Sequence, residues 1–179
     1  MSHPLIYTLR QLPSAKRCYT SGDRLFRQDD DVQVLHVIES GQVHLIRHQR
    51  QGFSLTLQRA GAGAILAEAS LFSRQYHCDA RAVGPVQTAA IAKSAIHAKM
   101  TENTQMAEMW ASYLAAEVQS ARLRAEILAL RTVAERLDAW VALNGWQLPA
   151  KGEQKVVATE IGVSPEALYR ELARRRKQP

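Results

Sequence analysis

Apolar residues recur at helical spacing between residues 101 and 144, a stretch that contains neither Gly nor Pro. Strong helix formers fill it, so the pattern predicts a long helix. Two adjacent apolar stripes indicate two partners, because a surface helix with one partner needs only one stripe. We expect one face to cover the N-terminal part of the chain and the other to meet the same helix of a second copy. The stripe that advances in steps of three and four residues is the predicted dimerisation face: Trp110, Leu114, Val118, Ala121, Ala125 and Leu128.

The length of this helical pattern predicts a break within it. A single straight helix over the whole stretch would be about 66 Å long at roughly 1.5 Å per residue, which exceeds the diameter of a small domain. We place the break near Arg131 and Thr132, just before a second apolar pattern starts.

The region before the helix changes to the spacing of β-strands. The apolar runs 34–38 and 43–46 are joined by a turn-type cluster that contains Gly41, so they are interpreted as a hairpin. Residues 53–58 alternate apolar with polar after a second turn signal at Gly52. Several short strands with regular turn signals predict a small antiparallel roll or barrel.

The last part of the chain predicts two helices joined by a tight turn. Residues 133–143 form an amphipathic helix that stops at Asn144. A further helix then leads to a turn at Gly162 and to a second helix, with Ser164 as N-cap and Pro165 at its first position. This spacing is typical of a helix-turn-helix. The chain is therefore divided into a β-roll over residues 1–100, a dimerisation helix over 101–131 and a helix-turn-helix domain over 132–179.

Charge and composition point to a polyanionic partner. The net charge is +6 with a pI near 9.6, and four cations follow one another at Arg174, Arg175, Arg176 and Lys177. No run reaches the length of a membrane span and no secretory signal is present, so a cytoplasmic protein is expected. The two cysteines, Cys18 and Cys78, have no metal-ligand spacing, and we expect neither a metal site nor a cofactor.

Gly22, the turn at residues 40–43, the segment 66–72 and the long helix together resemble the CRP/FNR family of bacterial transcription regulators. The resemblance covers nearly the whole chain. It implies an α+β fold with a sensor roll of the cyclic-nucleotide-binding type, a homodimer, double-stranded DNA as partner and a small-molecule effector of unknown identity. It further suggests RNA polymerase as a partner.

Residues 67–81 correspond to the phosphate-binding cassette of the family's cyclic-AMP receptor protein. Small residues lead there into a short helical turn near Ala67, whose free N–H groups favour an anion. By the resemblance the pocket residues are Ala67, Glu68, Ala69, Ser70, Tyr76, His77 and Arg81.

The sequence departs from the family within this cassette. Ala67 replaces the usual Gly, and Tyr76 and His77 replace the Arg-Ser pair that takes the phosphate charge. We therefore expect no usual response to cyclic AMP, although Arg74 or Arg81 could substitute for the lost arginine. Haem ligation through His77 and redox chemistry at Cys78 stay open, beside the commoner structural roles of such residues.

The resemblance of residues 161–170 to the family's DNA-reading segment implies three base-reading positions, Pro165, Glu166 and Arg170. Pro165 has no side-chain donor, Glu166 can accept from cytosine N4, and Arg170 can bind guanine O6 and N7. A G·C-containing half-site is therefore predicted. The expected phosphate contacts carry affinity without sequence information and comprise Ser164, Arg174, Arg175, Arg176 and Lys177.

In the family a β-hairpin wing follows the DNA-reading helix, whereas this sequence ends at Pro179. We expect a smaller DNA-binding domain, whose binding to DNA depends on its basic tail. A homodimeric DNA-binding regulator is the leading hypothesis. The alternative is a ligand-binding or protein-interaction module whose truncated helix-turn-helix no longer reads DNA. An enzyme is not expected, because no nucleophile with an oriented base and no phosphate-binding loop with a lysine is present.

Overall fold

The computed structural model describes residues 3–48 and 54–176. Within them, the helices and strands follow one another as α1 Pro4–Arg10, β1 Ser14–Tyr19, β2 Arg24–Phe26, β3 Val34–Ser40, β4 Val43–His48, β5 Ser54–Ala60, β6 Ile65–Leu66, a short 3-10 helix Glu68–Ser70, β7 Asp79–Ala82, β8 Val86–Ala92, α2 Lys93–Glu102, α3 Thr104–Ala129, α4 Val133–Leu143, α5 Gln154–Glu160 and α6 Pro165–Arg176.

The strands form two four-stranded antiparallel sheets. Sheet A has the order β1-β8-β3-β6, and sheet B has the order β2-β7-β4-β5. All strand pairs are antiparallel, and long helices follow them along the chain. The predicted α+β class with an antiparallel roll and a long helix is confirmed.

The predicted hairpin between β3 and β4 is wrong. β3 pairs with β8 and β6, whereas β4 pairs with β5 and β7, so the chain changes sheets at the turn between them. Gly41 makes this possible with a φ of +89°, a value that glycine adopts without steric cost. A Cβ at this position would clash with the Pro85 carbonyl oxygen. The predicted turn at Gly41 is therefore present, but the chain passes there from one sheet to the other.

The second predicted turn joins strands that do pair. β4 and β5 are antiparallel neighbours, with Val43 opposite Ala60 and His48 opposite Ser54. Strand pairing at this position is thus confirmed. The predicted turn at Gly52 falls outside the described residues.

The chain divides into two compact units, Met1–Leu114 and Ala115–Pro179, which are called the N-terminal and the C-terminal unit below. The boundary lies within α3, so each unit contains part of this helix. The predicted division into three segments, at residues 100 and 131, is not tested by these two units and stays a prediction.

The core of the N-terminal unit includes side chains of α1, both sheets and the first half of α3. Trp110 and Met106 of α3 are 2% and 0% exposed there. The large side chain of Trp110 is already buried within its own unit, so its assignment to the dimerisation face has no support from burial and stays a prediction. Spacing alone placed it in the same stripe as residues that stay exposed.

The long helical stretch is interrupted twice. The predicted break near Arg131 and Thr132 is confirmed, since α3 ends at Ala129 and α4 begins at Val133. There Thr132 and Glu135 form a capping box, in which each side chain binds the backbone N–H of the other residue. A second interruption at Asn103 was not predicted. The Asn103 side chain accepts a hydrogen bond from the Gln105 N–H at 3.0 Å and thereby caps α3.

The C-terminal unit has its own apolar core. It is formed by the end of α3 and by α4, α5 and α6, and its buried residues are Ile127, Leu137, Val141, Val157, Ala158, Ile161, Leu168 and Leu172. Among the described residues, no helix combines the length and the hydrophobicity that crossing a membrane requires.

Candidate nucleic-acid interface and ligand segment

Helix α6 is anchored on one side and exposed on the other. Leu168 and Leu172 are buried in the core of the C-terminal unit. Glu166 and Arg170 are exposed and lie four residues apart, which places them on a common face of the helix. The Arg170 guanidinium makes no hydrogen bond within the described residues, so its donors are available to a ligand.

The beginning of α6 agrees with the sequence pattern. The Ser164 hydroxyl accepts a hydrogen bond from the Ala167 N–H at 3.1 Å, and Pro165 is the first helical residue. The predicted N-cap is thus confirmed. The backbone N–H of Glu166 and then the Ser164 hydroxyl lower the pKa of the Glu166 carboxyl, so this group is ionised at neutral pH and can act as an acceptor.

Arg136 of α4 holds together the two helix ends that precede α6. Its guanidinium donates to the carbonyl oxygens of Leu130 and Leu128 at 2.9 and 3.0 Å. It also donates to the carbonyl oxygens of Ile161 and Gly162 at 3.1 and 3.0 Å. The ends of α3 and α5 both leave carbonyl groups without helical partners, and a cation is favourable at each. Sequence reasoning missed Arg136, because a backbone carbonyl acceptor leaves no mark in the residue pattern.

The turn between α5 and α6 requires glycine. Gly162 has a φ of +65°, and a Cβ there would lie 2.5 Å from Leu128 Cδ2 and 3.2 Å from a guanidinium nitrogen of Arg136. The predicted tight turn at Gly162 is therefore confirmed, and both the backbone conformation and the space explain the residue.

The basic end of α6 is less free than its composition indicates. Arg175 donates to Asp138, Glu171 and the Ala134 carbonyl oxygen, with N–O distances of 2.6, 2.7 and 3.0 Å. These contacts connect α6 with α4, so the Arg175 guanidinium already has partners within the C-terminal unit, and its contact with DNA phosphates stays a prediction. Hydrogen bonds from Arg174 first, and from Arg175, lower the pKa of Glu171 to about 2.

The remaining predicted phosphate contacts differ in their surroundings. Arg174 binds Glu171 with two hydrogen bonds of 2.9 and 2.8 Å, although its side chain remains half exposed. Arg176 is exposed. Lys177 lies outside the described residues. Ser164, Arg174 and Arg176 stay predictions as phosphate contacts.

The segment around Ala67 folds as the small residues indicated. Ala67 adopts a left-handed conformation with a φ of +67°, and the 3-10 helix Glu68–Ser70 follows it. The predicted short helical turn is thus confirmed. Ser70 is buried, and its hydroxyl lies 3.0 Å from Nδ1 of His77, while Ala69 is exposed. The structure therefore brings together two residues of the predicted pocket, Ser70 and His77.

Tyr76 belongs to the core of the roll. Its ring is 3% exposed and stacks on Phe26 with a centroid distance of 4.2 Å. Its hydroxyl donates to the Val34 carbonyl oxygen at 2.7 Å. Both the ring and the hydroxyl already have partners within the roll, so this geometry gives no support to a ligand contact of Tyr76, which stays a prediction.

Arg81 lies on β7 between two buried alanines. Ala80 and Ala82 point into the roll, so strand alternation places the Arg81 side chain on the opposite face of sheet B. The place of Arg81 in the pocket stays a prediction.

The cation beside this segment is Arg47 of β4, which sequence reasoning missed. Its guanidinium donates twice to the His77 carbonyl oxygen, at 3.0 and 3.3 Å. Desolvation, followed by the charge of Arg47, lowers the pKa of His77. Arg47 lies 30 residues before His77, and only the pairing of β4 with β7 brings the two together.

Cys78 is a buried thiol. It is 1% exposed, and burial, followed by the charge of Glu68, raises its pKa to about 11. A thiol needs its ionised form to react, so Cys78 is poorly suited to redox sensing.

The second half of α3 exposes an apolar stripe. Val118 and Leu128 are 47% and 46% exposed, and Ala121 and Ala125 between them are exposed too. Leu114, at the head of the stripe, is partly buried against the core of the N-terminal unit. The spacing of four, three, four and three residues from Leu114 to Leu128 is that of alternating core positions in a coiled coil.

Comparison with known proteins agrees with this architecture. Residues 16–103 match the family model of the cyclic nucleotide-binding domain. No curated protein matches the chain. The solved structures that are similar in fold include the following three. FixK2 from Bradyrhizobium japonicum has a TM-score of 0.75 at 16% identity, over 93% of this chain and 86% of that chain. The c-di-GMP responsive global regulator CLP from Xanthomonas campestris has a TM-score of 0.66 at 19% identity, over 91% and 86%. The catabolite activator protein of Thermus thermophilus has a TM-score of 0.57 at 26% identity, over 89% and 77%.

Residues 16–103 are therefore similar to cyclic nucleotide-binding domains, and the structures similar in fold include a global regulator and a catabolite activator protein.

Proposed function

We propose that the chain is a homodimeric, sequence-specific DNA-binding transcription regulator of the CRP/FNR type, and not an enzyme. The observation that carries the proposal is the form of α6, which is anchored through Leu168 and presents Glu166 and Arg170 to solvent from its first turns. A helix held in this way can enter the major groove, where its N-terminal residues reach base edges.

The exposed pair on α6 has complementary chemistry for a G·C base pair. Arg170 carries a planar fork of donors that matches O6 and N7 of guanine, and the ionised Glu166 accepts from N4 of cytosine. We expect each contact to contribute about 1–3 kcal/mol of discrimination against other bases.

Dimerisation through α3 would give the DNA-binding protein its two-fold symmetry. Covering the exposed half of Val118 contributes about 1 kcal/mol in each copy, since burying such a side chain completely contributes about 1.5–3 kcal/mol. Val118→Glu should therefore weaken the dimer by about thirtyfold or more. Ser120→Glu, two residues away and outside the stripe, is the matched control. Equal dissociation constants for the two variants in analytical ultracentrifugation would refute this dimer face.

The cyclic nucleotide-binding domain of this chain is not expected to respond to cyclic AMP in the usual way. Tyr76 lies in the core where the receptor has its phosphate-binding arginine, and the guanidinium of Arg47 already binds the His77 carbonyl oxygen. Calorimetric titration with cyclic AMP tests this point, and micromolar binding would overturn it. Cyclic di-GMP is a natural second titrant, because the neighbour CLP responds to it.

A mobility-shift experiment tests the proposal as a whole. Sites selected from random DNA by the full-length chain should be pseudo-palindromic, with half-sites about 34 Å apart. Arg170→Ala should lose the preference for G at one position of each half-site, whereas Arg10→Ala, which removes the same charge from α1, should keep it. Retained preference in Arg170→Ala would contradict the assignment.

The alternative, a ligand-binding or protein-interaction module that does not read DNA, is favoured by one observation. The charges of Arg174 and Arg175 are already paired with Glu171 and Asp138. Binding at two salt concentrations separates the two functions. The regulator requires affinity that falls as salt rises, and Arg176→Ala should reduce the salt slope by about one. Absence of any DNA binding at low salt would favour the alternative.

A further inference from the structure

A cleft of about 820 Å³ opens between β1 and β2 of the N-terminal unit. β1 is the edge strand of sheet A and β2 is the edge strand of sheet B, so the cleft lies where the two sheets separate. None of the residues that line it belongs to the segment 67–81. Ligand pockets commonly have volumes of about 300–1,000 Å³, and this cleft falls within that range.

Small side chains explain why the cleft is open. Ala15, Ala90 and His36 are direct neighbours across β1, β8 and β3, and they share one face of sheet A. Ala92 continues the same face opposite Val34. Three alanines on this floor leave space that larger strand residues would fill.

His36, one of the residues that line the cleft, is almost completely buried. His36 is 2% exposed, and its Nδ1 lies 3.0 Å from the Thr88 hydroxyl oxygen. The other ring nitrogen, Nε2, is buried and has no hydrogen-bond partner within the described residues.

Two cations contribute to the lining of the cleft, Arg17 and Arg24. Arg24 is partly neutralised by Asp79, at an N–O distance of 3.5 Å. Arg17 is exposed, and its guanidinium makes no hydrogen bond or ion pair with the described residues. Its free planar fork is suited to a carboxylate, which it can bind with two parallel hydrogen bonds.

The rings of Tyr19 and His36 line the cleft beside the alanine floor, and Phe26 supports His36 from the core of the roll. The His36 ring stacks with Phe26 at a centroid distance of 6.1 Å and meets the Tyr19 ring edge-on at 6.2 Å. Such a surface favours a flat apolar body over a strongly hydrated one.

We propose that this cleft binds an organic acid with a flat apolar body, whose carboxylate pairs with Arg17 and whose ring covers the alanine floor beside His36. Burial, followed by the charge of Arg17, lowers the pKa of His36 to about 4. At neutral pH the imidazole is therefore uncharged, and Arg17 supplies the charge that selects an anion. The proposal goes beyond DNA reading, and its outcome does not depend on that function.

Titration of the full-length chain with 2-naphthoate tests the proposal, with the histidine ring protons followed by NMR. Saturable shifts of the His36 resonance are expected. Arg17→Gln should weaken binding by about tenfold, the typical effect of losing a charge-assisted contact. Lys16→Gln is the matched control, because it removes the same charge from the same strand outside the cleft lining. The uncharged 2-naphthamide should also bind about tenfold more weakly than the acid.

A second variant keeps the charge and removes the space. Ala15 is exposed on an edge strand, so Ala15→Trp should fold and fill the cleft. It should abolish the His36 shifts while the circular dichroism spectrum stays unchanged. Absence of saturable shifts in the wild type, equal weakening by Arg17→Gln and Lys16→Gln, equal binding of acid and amide, or unaltered binding to Ala15→Trp would each overturn the proposal.

Discussion

Replacing Arg136 by Ala should remove a large part of the stability of the C-terminal unit. Two of its four hydrogen bonds, to the carbonyl oxygens of Leu130 and Ile161, are partly buried. A hydrogen bond from a charged donor contributes about 1.5–3 kcal/mol, so these two together contribute about 4 kcal/mol. The bonds to Leu128 and Gly162 are exposed and add little. Small domains have unfolding free energies of about 5–15 kcal/mol, and a loss of this size is therefore severe.

Hydrogen exchange measured by mass spectrometry resolves this effect along the chain. A loss of about 4 kcal/mol corresponds to roughly thousandfold faster exchange in α5 and α6, at one factor of ten for every 1.4 kcal/mol. Peptides from the N-terminal unit should change little. By calorimetry, the melting temperature of the C-terminal unit should fall by roughly 20 °C.

Two further variants separate the geometry of Arg136 from its charge. Arg131→Ala removes the same charge from an exposed side chain that makes no hydrogen bond within the described residues, and it should leave exchange unchanged. Arg136→Lys keeps the charge but loses the planar fork, so an intermediate loss is expected. If Arg136→Ala and Arg131→Ala had equal exchange rates, the role assigned to Arg136 would be refuted.

Three other substitutions test separate parts of the structure. Gly162→Ala should cost about 2 kcal/mol of stability in the C-terminal unit, measured by urea unfolding, because it strains a left-handed backbone and displaces Leu128; an unchanged midpoint would contradict the described turn. Tyr76→Phe should cost about 1–2 kcal/mol in the N-terminal unit, because it leaves the Val34 carbonyl oxygen without its 2.7 Å donor. An unchanged unfolding free energy would show that the hydroxyl is not needed in the core and would favour a role of Tyr76 in ligand binding. Folding lowers the pKa of His36 from 6.5 to about 4, so between these values the unfolded chain binds a proton that the folded chain excludes. The contribution of neutral His36 to the free energy of unfolding is complete above pH 6.5 and falls by about 3 kcal/mol as the pH drops to 4. The difference in unfolding free energy between wild type and His36→Gln should therefore change by this amount between pH 6.5 and pH 4.

The patterns that were predicted correctly are those that local residue chemistry determines. The cap at Ser164, the turn at Gly162 and the break before α4 each depend on a few neighbouring residues, and their signals are in the sequence. The break at Asn103 also had a local signal, since Asn is a preferred N-cap, but without a nearby Gly or Pro it was overlooked.

The features that were missed depend on residues far apart in the chain. The turn at Gly41 has the same local form whether the strands on either side pair or join different sheets, so the register came only from the tertiary structure. Spacing likewise grouped Trp110 with Val118, although one is buried in its own unit and the other is exposed. Composition presented Arg175 as a free cation, while Asp138, 37 residues earlier in the chain, binds it.

The two cysteines differ so strongly in their surroundings that the unmodified chain contains a single practical labelling position. Cys78 is enclosed and resists ionisation, whereas Cys18 is exposed on the edge strand that borders the cleft. A maleimide dye should therefore attach at Cys18 alone. Fluorescence from that dye would report directly on events beside Arg17, without any engineered residue.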